Sequence, residues 1–176
     1  SELRLEGATG VVSGASATIL GKETVYGLNV QSGATLNLAA GSGERAGAVL
    51  TVAGGEDDNV IAGNDALGQG GGKLAVSGDG TKLTVEGANS RFTGATSVES
   101  GAVLSLGNGA SLGTGNTEIA AGGTLEVASA VDATSGASRV ASQLTNSVTG
   151  AGDVVINLSG TAQAAEKMFS FADDQT

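Results

Sequence analysis

The sequence predicts an all-β chain wound as a single-stranded parallel β-helix, a β-solenoid with about three short strands per coil. Three observations predict it. Aliphatic residues recur in pairs separated by one residue, those pairs repeat at a fixed interval along part of the chain, and the composition offers almost no bulk for a round core. The 176 residues include 31 Gly but no Pro and no Trp, and only Tyr26, Phe92, Phe169 and Phe171 supply rings. A compact domain of this length fills its centre with several large side chains. The core must therefore be thin, built of Leu, Val, Ile and Ala, and drawn out along the molecule. Disorder is excluded by the 40% hydrophobic content and its regular spacing.

The strands are read from the pairs Leu28/Val30, Leu36/Leu38, Leu50/Val52, Leu74/Val76, Leu83/Val85, Leu104/Leu106, Leu125/Val127 and Val154/Ile156. Residues two apart on a strand point to the same face, so each pair marks one buried face. Gly and a small residue precede nearly every pair, as in Ser32-Gly33-Ala34-Thr35-Leu36, Gly47-Ala48-Val49-Leu50, Ser100-Gly101-Ala102-Val103-Leu104 and Gly122-Gly123-Thr124-Leu125. Glycine supplies the positive-φ corner that each strand needs before it starts.

Spacing then predicts how the strands stack. Leu83, Leu104 and Leu125 recur at one constant interval, and Val85, Leu106 and Val127 keep the same step. Val98, Ile119 and Val140 make a second column, and Phe92 with Leu112 a looser third. A step of about 21 residues holding three short strands describes one coil, and about eight coils give a rod roughly 40 Å long. An antiparallel sandwich also uses short strands and Gly turns, but it does not require like side chains at one interval and usually holds larger aromatics. The absence of Pro fits the solenoid, because each inner strand donates its amides to the next coil. One unit is expected over residues 1–176. The Ala- and Ser-rich stretch 128–150 reads as an irregular excursion or short helix, and Glu56-Asp57-Asp58-Asn59 as a loop.

Net charge is −10, and the eight cations stand singly. No basic stripe exists to neutralise phosphates, so nucleic acid is not an expected partner, and an anionic membrane surface should repel the chain. The acidity suits the solubility of an elongated surface. A chain without Cys fits either the cytosol or a secreted protein that must stay unfolded while it crosses an oxidising compartment. No apolar stretch approaches the roughly 20 residues of a membrane span, and no signal peptide opens the chain. The abrupt ends at Ser1 and Asp173-Asp174-Gln175-Thr176 read as those of a piece of a longer protein.

No catalytic, cofactor-binding or metal-binding residue is expected. The chain has no His for a base and no Cys nucleophile, and its acids and cations are dispersed. Gly63-Asn64-Asp65-Ala66-Leu67 is similar to half of a calcium-binding nonapeptide. That site needs an acid again one nonapeptide later, where this chain has Leu74, so the segment reads as a polar turn using Asn and Gly for positive φ. Phe92 reads as a core plug. Met168, Phe169 and Phe171 read as part of a further coil or an apolar contact patch.

The run from Gly80 to Asn108 contains Gly80-Thr81-Lys82-Leu83, Gly87-Ala88-Asn89, Phe92-Thr93-Gly94, Thr96-Ser97-Val98 and Gly101-Ala102-Val103-Leu104-Ser105-Leu106-Gly107. In that order these pieces resemble the autotransporter-associated β-strand repeat, with Arg91 and Val103 as single insertions and partial echoes at Ser32–Leu38 and Gly122–Val127. The resemblance implies a passenger segment of a type V-secreted protein of a Gram-negative bacterium, carried across the outer membrane and displayed at the cell surface. It further implies a non-catalytic adhesin or self-associating rod, with roles in aggregation, biofilm or virulence. The expected partners are other copies, or glycan and protein ligands on cells. A carbohydrate-active β-helix whose catalytic loops lie elsewhere, and a pure structural spacer, are the alternatives.

Overall fold

The computed structural model describes residues 2–7, 14–55, 59–130, 143–144 and 146–159. Its named elements are fifteen β-strands, and every ladder between them is parallel. The fold is all-β with parallel sheets, an architecture compatible with a parallel solenoid. Among the described residues no helix is long and apolar enough to cross a membrane.

Each pass of the chain visits the sheets in turn. The largest sheet holds β1 (Leu3–Leu5), β4 (Leu28–Val30), β7 (Asn59–Ile61) and β9 (Lys82–Val85), followed by β11 (Val103–Leu106), β13 (Thr124–Ala130) and β15 (Asp153–Ser159), in that spatial order. The second sheet stacks β3 (Lys22–Val25), β6 (Val49–Val52), β8 (Lys73–Val76), β10 (Thr96–Val98), β12 (Thr117–Ile119) and β14 (Val148–Gly150). β2 (Ser16–Ile19) and β5 (Thr35–Leu38) form a two-stranded third sheet. The largest sheet thus has seven described rungs against the eight or so coils expected, spanning roughly 29 Å at the usual strand spacing.

Leu83, Leu104 and Leu125 are direct partners on adjacent rungs, and all three are buried. The constant step holds from β9 to β13 but not throughout. Leu3 is partnered by Leu28, Asn29 by Val60 and Thr124 by Asp153, and each of these passes is longer than the one from Leu83 to Leu104. Parallel rungs stay in register through these changes because the extra residues leave at the corners, where they cost only loop entropy. The expected column through Val140 is corrected by this. Ile119 pairs with Val98 on one side but with Gly150 on the other, and Val140 lies outside the described residues. Val103 is an ordinary strand residue in unbroken register with Lys82 and Thr124, with no bulge to mark it as an insertion.

All eight aliphatic pairs are strand pairs, yet they do not share one face. Five belong to the largest sheet, Leu50/Val52 and Leu74/Val76 to the second, and Leu36/Leu38 to the third. The largest sheet sends two columns inward. One runs Leu3, Leu28, Asn59, Leu83, Leu104, Leu125, and the other Leu5, Val30, Ile61, Val85, Leu106, Val127. They continue to Val154 and Ile156 on β15, where Val154 is exposed and Ile156 half-buried. Each fully buried aliphatic contributes about 1.5–3 kcal/mol, so short rungs suffice when they repeat.

Beyond the two-stranded sheet, isolated parallel bridges join Leu36 with Leu67, Gly70 with Phe92, and Ala88 with Ser111. Phe92 lies in one of these bridges. Its ring is fully buried, and a Cβ on Gly94 would lie 2.9 Å from ring carbon Cε2. The one bulky ring in the described core thus packs against a residue without a side chain.

The corners use positive φ at Gly33, Gly101 and Gly122 (92°, 79° and 84°), as expected. Gly47 is not in that conformation, so its place before Val49-Leu50 has another cause: a Cβ there would lie 3.1 Å from the Gly41 amide nitrogen. Between these glycines Ser42 and Arg45 exchange backbone hydrogen bonds of 2.9 and 3.0 Å and close a small outward loop. Within the stretch expected to be irregular, β13 continues to Ala130 and β14 covers Val148–Gly150, while 131–142 and 145 lie outside the described residues. Met168, Phe169 and Phe171 also lie outside them.

Candidate functional site

Two buried asparagines tie neighbouring passes together, one of them where the sequence reads as a loop. Asn59 is not in a loop. It opens β7 and stands in the inward leucine column between Leu28 and Leu83, only 1% exposed. An amide in that position must be hydrogen-bonded or it destabilises the core. Its Oδ1 accepts the Leu28 N–H at 2.8 Å, and its Nδ2 donates to the carbonyls of Gly54, Gly55 (2.7 Å) and Lys82 (3.0 Å). One side chain thus ties its own pass to the passes before and after it. Asn89 repeats the device beside the isolated Ala88–Ser111 bridge. Its Oδ1 accepts from Leu67 N–H at 2.9 Å, while Nδ2 donates to the Gly87 and Ser111 carbonyls at 3.0 and 3.1 Å. A search for aliphatic pairs passes over both residues. The signal for Asn59 lay in its alignment with Leu83, two residues before an aliphatic that pairs with Val85.

Gly63–Leu67 is a turn, as read, but its strained residue is Asp65, at φ +50°. Gly63 and Asn64 are not in that region, which corrects the expectation that Asn and Gly carry the positive φ. Asp tolerates the left-handed region because its short side chain can hydrogen-bond locally. The turn is bonded onto the next pass: Asn64 Oδ1 accepts the Ala88 N–H at 2.9 Å, and Asp65 Oδ1 accepts from Ser90 Oγ at 3.1 Å. Ala66 and Leu67 turn inward and are fully buried. Among the described residues no group of three metal-capable side chains is brought together.

The positions that alternate with the inward columns form two mostly polar rows. On the largest sheet the row is Arg4, Asn29, Val60, Thr84, Ser105, Glu126 and Val155, and on the second it is Thr24, Thr51, Ala75, Ser97, Glu118 and Thr149. Ala75 and Ser97 are covered, so the second row is open toward its ends and the first along its length. Neighbouring members stand about 4.8 Å apart, so chemically similar groups are offered at a repeating interval. Lys82 reaches over β11 to Glu126 at 3.5 Å. Arg4 lies 2.6 Å from Glu6, whose carboxylate holds the guanidinium above its already high ordinary value.

Tyr26, one of the few rings in the sequence, is 63% exposed. Parity along the chain explains why. Val25 faces inward at the end of β3, so Tyr26, the next residue, is turned out at the corner before Gly27 and inward Leu28. The ring borders an open depression of about 310 Å³, lined also by Glu2, Arg4, Gly27, Asn29 and Gly55. A second recess, about 440 Å³, closes the β1 end of the inward columns and is mainly aliphatic, with Leu3, Ile19, Leu20 and Val25 in its wall. Comparison of the chain with protein-family models, curated proteins and solved structures found no match.

Proposed function

We propose that this chain is a parallel β-helix of three faces per coil, a non-catalytic passenger segment of a bacterial autotransporter that serves as an adhesive or self-associating rod. The observation that carries the reading is the in-register parallel ladder with polar residues in outward rows. Such a surface presents Thr, Ser, Asn and Glu at a constant spacing, so each contact is weak and many act together. Linking weak contacts raises avidity without any new chemistry. The motif run from Gly80 to Asn108 supports the passenger assignment, and with it display at the surface of a Gram-negative cell after passage through the outer membrane. The interior supports a mechanical role. Inward leucines and the Asn59 and Asn89 amides bind each pass to its neighbours, and such a stack is a stiff spacer that holds the outer rows in place.

Dense display tests it. The purified fragment should bind weakly or not at all as a monomer and cleave no acidic polysaccharide. Arrayed on beads or cells it should cause clumping or attachment that declines gradually as outward polar residues are replaced. Cleavage lost on changing one acidic residue would overturn the non-catalytic reading. A dense array that never adheres would leave a spacer.

A further inference from the structure

The Tyr26 depression has the composition of a small recognition site. Among the described residues its lining holds one aromatic face and no aliphatic residue; the rest is the carboxylate of Glu2, the guanidinium of Arg4, the amide of Asn29 and the backbone of Gly27 and Gly55. An apolar peptide anchor needs a dry wall on several sides, and here only the ring supplies one. Among the described residues an anion finds no uncompensated positive charge, because Arg4 is paired with Glu6 and stands near Glu2. A cation meets Arg4. The ligand that matches a single exposed ring among planar polar groups is one whose own faces are C–H and whose edge is hydroxyl.

We propose that Tyr26, with Asn29, Arg4 and Glu2, forms a binding site for an uncharged pyranose sugar. The C–H face of the sugar lies on the Tyr26 ring, and its hydroxyls exchange hydrogen bonds with Asn29, Arg4 and Glu2. The volume, about 310 Å³, is at the small end for a ligand site and suits one or two sugar rings held loosely. This deepens the adhesive reading by naming a ligand class, and it rests on that reading only for its biological setting.

The chain supplies its own probe. It contains one Tyr and no Trp, so the fluorescence of the intact protein under tyrosine excitation reports Tyr26 alone. Cellotetraose, chitotetraose and a β-galactotetraose are titrated to about 10 mM, with saturation-transfer NMR read in parallel so that variants lacking the ring can be compared. At least one of the three should change the Tyr26 emission saturably and show transfer to its ring protons. Tyr26→Ala should weaken that binding about tenfold or more, Tyr26→Phe should leave it within about threefold, and Asn29→Ala should weaken it about fivefold. Circular dichroism confirms that each variant is folded. Silence from all three sugars, or binding that survives Tyr26→Ala, overturns the site. Clumping of bead arrays is scored separately. Sugar binding lost in Tyr26→Ala supports the site whether or not clumping persists, whereas sugar binding without clumping in the parent protein keeps the site and removes the self-associating rod.

Discussion

The passes from β9 to β13 and those from β1 to β8 obey the same interior rule with different outlines. In the first group the step is constant from rung to rung of the largest sheet, and the inward columns there are unbroken leucine and valine or leucine. In the second the passes differ widely in length, the short one joining Ser16 to Thr35 and the long one Leu36 to Leu67, yet every ladder remains parallel. Register is therefore set by what faces inward and is indifferent to what leaves at the corners. The irregular half also bears the features that distinguish one part of the surface from another: the Ser42–Arg45 loop, the strained Asp65 turn and the exposed Tyr26. Uniform passes build the stack, and uneven passes shape its outside.

If inward columns alone set register, a charge placed in the regular half should be ruinous. Leu104 is fully buried between Leu83 and Leu125. Leu104→Asp puts an unpaired carboxyl there and should cost more than about 4 kcal/mol, leaving no folded baseline in urea. A folded variant with a near-parental midpoint would show that the regular passes do not carry the core.

Asn59 tests the other half. Asn59→Ala removes the acceptor of the buried Leu28 N–H, at about 1–3 kcal/mol, and the donor to the part-buried Lys82 carbonyl, at less. Asn59→Leu restores an unbroken leucine column and leaves the same groups unpaired, so it should be destabilised as well. Urea midpoints of the two variants check this. An Asn59→Leu protein more stable than the parent would mean that the amide stitches matter less than the column, and the two halves would then follow one rule without exception.

These cases show what could be read from residues alone. The strands were legible because an inward pair leaves an aliphatic signature, as at Leu28/Val30 and Leu83/Val85. Their assignment to faces was not, since Leu36/Leu38 looks the same as Leu28/Val30 but lies in a different sheet. A fixed step was legible only where no residues leave at the corners, which is why the column through Val140 failed at Gly150. Asn59 was hidden because its fitness for the core depends on backbone groups of three passes, and Asn89 for the same reason. The outward placement of Tyr26 was not marked, because β3, which it follows, carries no aliphatic pair to show which of its faces is buried.

The smallest effect concerns the strut between passes. Lys82 and Glu126 sit two rungs apart, with Ser105 and Val103 on the strand between them, and their charged ends meet at 3.5 Å with each side chain about a third exposed (37% and 33%). Water screens such a pair, and holding two long side chains in one geometry costs entropy, so the interaction is worth about 0–1 kcal/mol. Lys82→Ala and Glu126→Ala should each shift the urea midpoint slightly, and the double variant should fall short of the sum of the two by about 0.5 kcal/mol at low salt. In about 1 M salt, where the screening length is near 3 Å, that coupling should vanish. A coupling that persists in high salt would mean that the two stems pack over β11 as an apolar cover and that the regular half is held from outside as well as from within. A coupling absent at every salt concentration would leave the inward columns as its main support, which is the sharper form of the contrast with the stitched half around Asn59.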